Sequence, residues 1–243
     1  MACAIGSTSA LASGTRTNST VTAPSGIADG DILVYGLAIG NASGGTTATA
    51  PTGFAAPTGV PISYTWTSVD TYTVRLYFWT KKASGESGNY TATHSSADTT
   101  AFMWRITGAD ATTWVDQNPT TFVNNGGSGG QTIPVPTQTP SVDGCALVWM
   151  GGSWDGFGAA TPSTGFTERR NVTTESFYAQ DLIQATAAAT GTVTVTTTQT
   201  ADKPRAGIML TIRAAAGGGG TVPPPVRRPT NLFIPMWSAN KLT

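Results

Sequence analysis

The stretch Asp29-Gly30-Asp31-Ile32-Leu33-Val34-Tyr35-Gly36 returns 114 positions later as Asp143-Gly144-Cys145-Ala146-Leu147-Val148-Trp149-Met150-Gly151. Each copy is a turn dipeptide followed by β-forming residues, the pattern of a turn that feeds a buried strand. Three further correspondences follow in the same order. Pro51-Thr52-Gly53-Phe54 is answered by Pro162-Ser163-Thr164-Gly165-Phe166, Gly88-Asn89-Tyr90-Thr91 by Gly191-Thr192-Val193-Thr194, and Met103-Trp104-Arg105-Ile106-Thr107 by Met209-Leu210-Thr211-Ile212-Arg213. Four matches at a slowly drifting offset predict an internal repeat. The repeats are residues 1–110 and 111–214, each a β-sandwich unit. Residues 215–243 form a Gly/Pro-rich linker and a C-terminal docking arm.

The periodicity within each unit is that of strands. Ile32 to Ile39 is a continuous apolar run broken by Gly36, as expected for a strand covered on both faces or kinked at the glycine. Ile62 to Trp66 alternates and reads as a half-exposed strand. Tyr72 to Lys82 is the longest, with Val74, Leu76, Phe78 and Thr80 toward the core and Arg75, Tyr77, Trp79 and Lys81 on an amphipathic face. Shorter strands are expected at Cys3–Ser9, Ser19–Ala23, Tyr90–His94 and Ala101–Thr107. In the second unit Trp114–Val123 and Gln131–Val135 read as strands. Gln180–Ala189 carries helix-forming alanines but reads as strand then loop, because its counterpart in the first unit is a strand. Six or seven short strands per unit is the spacing of a sandwich. The predicted fold is all-β: an antiparallel jelly-roll or Ig-like sandwich built from two repeats, with Ile32, Val34, Leu76, Phe78, Ile106, Leu147, Ile208, Leu210 and Ile212 in the core.

Composition removes several function classes. Charged residues are 11% of the chain, with 13 basic and 13 acidic side chains and a formal net charge of zero. No electrostatic footprint for nucleic acid or an anionic membrane exists on that balance. The start, Met1 to Ser7, lacks the basic and apolar regions of a secretory signal, and no apolar run reaches membrane-spanning length. Cys3 and Cys145 are therefore expected as buried free thiols.

Candidate chemistry is sparse. The single histidine, His94, is expected to face solvent on a strand. Gly126-Gly127-Ser128-Gly129-Gly130 matches G-x-S-x-G, but a nucleophile elbow needs a strand-to-helix turn and this is an all-glycine loop. Asp155 with Glu168 or Glu175 would be the carboxylate pair of a glycosidase, with nothing in the spacing to favour it. Asp29 and Asp31 fall far short of a calcium ligand set and read as turn residues. No catalytic residue, cofactor or metal site is expected. The loop after Trp149 offers Trp154, Asp155 and Phe157, aromatics beside an acid that suit stacking on a sugar. Beyond Gly217–Gly220 and Pro223-Pro224-Pro225, the arm carries Arg227 and Arg228 and then Leu232, Phe233, Ile234, Met236 and Trp237. An apolar run behind a stiff spacer is a liability unless it docks, and a neighbouring subunit, ahead of the sandwich itself, is the expected partner.

Ala28-Asp29-Gly30-Asp31-Ile32-Leu33-Val34, Pro51-Thr52-Gly53-Phe54, Tyr77-Phe78-Trp79-Thr80-Lys81-Lys82-Ala83, Glu86, Tyr90-Thr91 and Arg105-Ile106-Thr107-Gly108-Ala109-Asp110 together resemble two-repeat β-sandwich proteins encoded among the virion genes of tailed bacteriophages. The resemblance spans residues 1–214. It departs at Phe54 and Phe166, where tryptophan is more usual, and at Asp181-Leu182-Ile183, which replaces a lysine-bearing strand. What it implies is a non-enzymatic virion structural protein, assembled in the host cytoplasm, oligomeric, with other capsid or tail subunits as partners. A capsid decoration or cement protein held by its terminal arm is the leading expectation. The alternatives are a tail or tail-tip protein, a carbohydrate-binding module that meets a host surface glycan through Trp154 and Phe157, and, last, a glycoside-active enzyme.

Overall fold

Ile32 to Ile39 sets the architecture. Successive side chains of a strand point to opposite faces, and here both sets are buried: Ile32, Val34 and Ala38 on one face, Leu33, Tyr35, Leu37 and Ile39 on the other. A strand with two apolar faces must lie in a sheet covered on both sides. The computed structural model describes residues 1–10, 12–41, 46–66, 72–124, 132–153, 158–173, 177–198 and 205–216. It builds such a covered sheet in each half of the chain and packs the two sheets face to face.

The strands are β1 (Ala4–Thr8), β2 (Ala12–Thr22), β3 (Ile32–Asn41), β4 (Ala48–Thr49), β5 (Ile62–Trp66), β6 (Tyr72–Lys82), β7 (Asn89–Thr107), β8 (Val115–Asn124), β9 (Thr132–Val135), β10 (Cys145–Ser153), β11 (Ala160–Thr161), β12 (Thr167–Val172), β13 (Phe177–Gln184), β14 (Val193–Thr197) and β15 (Arg205–Ile212). No helix occurs among the described residues, and every pairing between strands is antiparallel. The first half forms the order β1-β7-β3-β6-β5, with β2 and β4 joined to β7. The second half forms β8-β15-β10-β13-β12, with a separate sheet β9-β14-β11. The two orders correspond position by position, with β3 and β10 at the centre of each.

Strand composition tracks layer. From Asn89 to His94, β7 alternates exposed and buried residues, and there it pairs with β2 and β4 in an outer layer. From Ala101 to Trp104 every residue is buried, where β7 runs beside β3 in the central sheet. The second half divides the same duties between β14, which alternates, and β15, which is buried throughout. Outer layers need one apolar face and central sheets need two, so the change of pattern along β7 marks its passage between layers.

Three apolar cores result. The central core joins the halves, with Ile32, Val34, Leu76, Phe78 and Trp104 meeting Val148, Met150, Phe177, Ile208 and Leu210. Two flanking cores lie beneath the outer layers, one around Tyr35, Trp79 and Met103, the other around Leu147, Trp149 and Met209. All nine expected core residues are buried. Three expectations need correction. The second face of β6 is core as well, since Tyr77 and Trp79 are buried under the outer layer. The strands expected at Tyr90–His94 and Ala101–Thr107 are one continuous strand, because the polar stretch between them still pairs with β2. The strand expected at Ser19–Ala23 begins much earlier, as β2 follows β7 from Ala12.

The halves come into close contact at Gly36. A Cβ at that position would come within 2.8 Å of Met150 Sδ and 3.1 Å of Trp104. The chain crosses between halves on a short segment fixed by Asp110. Its carboxylate accepts from the Thr112 and Thr113 amides and the Thr112 hydroxyl, which hold its pKa down at about 2. Ala109 and Ala214 then form a β-bridge that ties the end of one half to the end of the other. We expect Gly36→Ala to lower stability by about 1–3 kcal/mol through overpacking. The loss should shrink when Met150→Ala is combined with it, read as non-additive midpoints in urea unfolding.

Candidate functional site

A scaffold of buried strands leaves few places for chemistry, and the polar groups drawn inward show what each place can do. The pairing of β2 with β7 brings Ser19 Oγ to 3.0 Å from His94 Nε2 and 2.8 Å from Thr99 Oγ1. His94 Nδ1 lies 2.9 Å from the Ser95 carbonyl oxygen. The spacing is that of a nucleophile and its base. Ser19, however, is fully buried and only 9% of His94 is exposed, so the hydroxyl faces packed protein rather than a cleft. The expectation of a solvent-facing histidine is corrected: strand alternation turns His94 inward, and it satisfies Ser19 at the junction of two layers. Pattern alone could have indicated this, since His94 shares a face with Tyr90 and Ala92.

A second cluster closes one end of the first sandwich. Lys81 Nζ lies 2.7 Å from Glu86 Oε1 and 5.9 and 5.6 Å from the ring centres of Phe54 and Tyr90. Tyr90 donates its hydroxyl to Glu86 Oε2 at 2.6 Å. Burial pushes the Glu86 carboxyl up, but the bonds from Lys81, Tyr90 and the Ser84 amide outweigh it and leave its pKa below the usual range. Asp31, read from sequence as a turn residue, accepts from the Ala28 amide and is also ion-paired to Arg105 at 2.6 Å. Asp29 accepts from the Gly85 amide.

The third cluster stands between the halves. Asp181, on β13, accepts from Arg169 Nε at 2.6 Å and NH2 at 2.9 Å, and from the indole of Trp104 across the central core at 3.1 Å. Burial pushes its carboxyl above the ordinary aspartate range, against the pull of Arg169 and of the indole. Arg170 lies over the ring of Phe102 at 5.1 Å and donates to the Ser9 carbonyl oxygen. The counterpart of Asp181 in the first half is Thr80, since β6 pairs Thr80 with Val34 as β13 pairs Asp181 with Val148. Thr80 likewise receives an indole N–H from the other half, that of Trp114 at 3.1 Å. Sequence reading registered Asp181 as a departure but not its role, because its partners lie 12 and 77 positions away.

Two hollows also lie on the surface of the described residues. A shallow hollow of about 710 Å³, lined by Met1, Ala2, Val142, Ile183, Ala187 and Ala216, lies where the described chain ends. A smaller one of about 320 Å³ opens at the end of the second sandwich, beside Phe166 and Leu182. Cys3 and Cys145 are buried free thiols, and burial raises the Cys3 pKa to about 12, which makes it a poor nucleophile. Among the described residues no group of three or more His, Cys, Asp or Glu could hold a metal ion. The expected glycan loop of Trp154, Asp155 and Phe157 lies outside the described residues, as do Gly126–Gly130 and Glu175. So does the expected docking arm with Arg227, Arg228, Leu232, Phe233, Ile234, Met236 and Trp237. Glu168, the described member of the expected carboxylate pairs, sits on β12 opposite Gln180. No family model, curated protein or solved structure matches the chain.

The two ionic clusters give distinct expectations. Asp181→Ala strips a buried partner from Arg169 and Trp104 and should destabilise by about 3–5 kcal/mol. Replacing Asp181 and Arg169 together by leucine and Trp104 by phenylalanine, so that no buried donor is left without an acceptor, should recover most of that loss in denaturant melts. Glu86 has a depressed pKa, so its contribution is present above the ordinary glutamate value of about 4.3. It fades as pH falls through the lower folded value. Glu86→Gln should therefore be less stable than the parent at neutral pH, and the gap should narrow below about pH 4, followed by melts across pH.

Proposed function

We propose that this chain is a non-enzymatic structural protein of a bacteriophage virion, a decoration or cement protein on the capsid, joined to neighbouring subunits through residues 222–243. The observation that carries the reading is that the described residues cover both central sheets by themselves. Both central sheets are covered on both faces by residues before 217, and Ala216 ends beside Met1 and Ala2 on a surface hollow. On this proposal Leu232, Phe233, Ile234, Met236 and Trp237 bury their apolar area against a partner. Full burial is worth about 1.5–3 kcal/mol for each such side chain before ordering costs. Arg227 and Arg228 add charge-assisted contacts to an acidic neighbour.

The same proposal takes the two halves as copies of one jelly-roll unit. When β7 is counted as two strands, each half has eight, ordered 1-8-3-6-5 in the central sheet and 2-7-4 in the outer layer, and this order supports the reading. Matching turns support it too: Phe54 N donates to Pro51 O and Phe166 N to Ser163 O, around Gly53 and Gly165 at φ 80° and 83°. Such a body, with few charged residues and no net charge, suits a surface role on a particle.

Deleting residues 221–243 should leave the body folded, with an unchanged β-type circular dichroism spectrum, and remove it from virions assembled in cells that make only the truncated form. Mass spectrometry of gradient-purified particles reads the occupancy. Truncated protein at normal occupancy would exclude the arm as the joint, and absence of the full-length protein from particles would exclude the virion role.

A further inference from the structure

The ends of the two sandwiches should be plugged alike, and they are not. In the first half the space above Phe54 is filled by Lys81, Glu86 and Tyr90, held together by the 2.7 Å ion pair and the 2.6 Å hydroxyl bond. Strand register identifies their counterparts. Leu182 pairs with Leu147 as Lys81 pairs with Leu33. A Cβ on Gly53 would touch Lys81, and one on Gly165 would touch Leu182. Counting back and forward from Gly88 and Gly191 sets Ala189 in place of Glu86 and Val193 in place of Tyr90. Three large polar groups are thus exchanged for three smaller apolar ones, and two of these, Leu182 and Val193, line the hollow of about 320 Å³.

We propose that this hollow is a binding site for an uncharged, hydroxyl-rich small ligand, a single pyranose or the terminal residue of a glycan. Its apolar wall, Phe166, Leu182 and Val193, suits the C–H face of a sugar ring. Its rim is polar and unengaged: the hydroxyls of Thr164, Thr192 and Thr194 and the amide of Gln184 make no hydrogen bond among the described residues. Ser163, by contrast, is fixed, donating to the Thr194 carbonyl at 2.7 Å and accepting from Gln180 at 3.1 Å, which makes the turn a rigid edge. None of the described side chains lining the hollow is charged, so neither a phosphate nor a cation finds a counter-ion there. Its volume is at the lower end of ligand pockets, which run from about 300 to 1,000 Å³, and matches one ring rather than an extended chain. The proposal is independent of the virion assignment and of the loop holding Trp154.

Full-length ¹⁵N-labelled protein titrated with D-glucose, D-galactose and N-acetylglucosamine tests it. The expected result is saturable shifts confined to the amides of Ser163–Phe166 and Thr190–Thr194 for at least one sugar, with a dissociation constant in the millimolar range, about −4 kcal/mol. Val193→Tyr, which restores the first-half plug, should weaken binding at least about tenfold, and Gln184→Ala should do so by a similar factor. If Val193→Tyr does not fold, Gln184→Ala, at a half-buried rim position, decides. Shifts for none of the three sugars, shifts mapping to residues 154–157 instead, or unchanged affinity in the folded variants would overturn the proposal.

Discussion

The rest of the structure depends on the face-to-face contact between two β-sheets that are each covered on both sides. Neither central sheet can stand alone, because Ile32, Val34, Leu76 and Phe78 in one half and Val148, Met150, Ile208 and Leu210 in the other would present a broad apolar face to water. At about 25 cal/mol per Å² of apolar surface, burying such a face is the strongest stabilisation open to a chain with 11% charged residues. The outer layers follow from the same requirement. Each covers the remaining face of its own central sheet and presents threonines and serines to solvent.

Non-directional burial would accept several ways of sliding one sheet over the other, and the polar groups in the central core choose among them. Asp181 must reach both Arg169 and the Trp104 indole, and Thr80 must meet the Trp114 indole; a shift by one residue would leave buried donors without acceptors. Gly36 opposite Met150 is the steric counterpart, a hole that receives a knob. The halves are alike in strand order and complementary where they touch. That combination favours one mutual arrangement over a loose association of two similar units.

The same divergence shapes the two ends of the molecule. In the first half a lysine, a glutamate and a tyrosine fill the sandwich end, and the resulting plug contributes to stability. In the second half two of their smaller counterparts, Leu182 and Val193, line an open hollow. Equivalent register positions are therefore filled by a polar plug in one half and by smaller apolar side chains in the other.

Much of this was legible in the sequence. Alternation and apolar runs marked the strands, and all nine expected core residues are buried because hydrophobic period reports the face of a strand directly. The sequence by itself determined the all-β class and the identity of the core side chains. It did not determine which layer covers the second face of β6, why His94 turns inward, or that Asp181 links the halves. Those outcomes depend on which strands become neighbours. Period 2 says that a residue points up or down, but only tertiary pairing says what lies there: outer layer, opposite half or solvent. The hollow beside Phe166 was hidden for the same reason, since Leu182 and Val193 are ordinary when taken separately and border a space only once the fold brings them together.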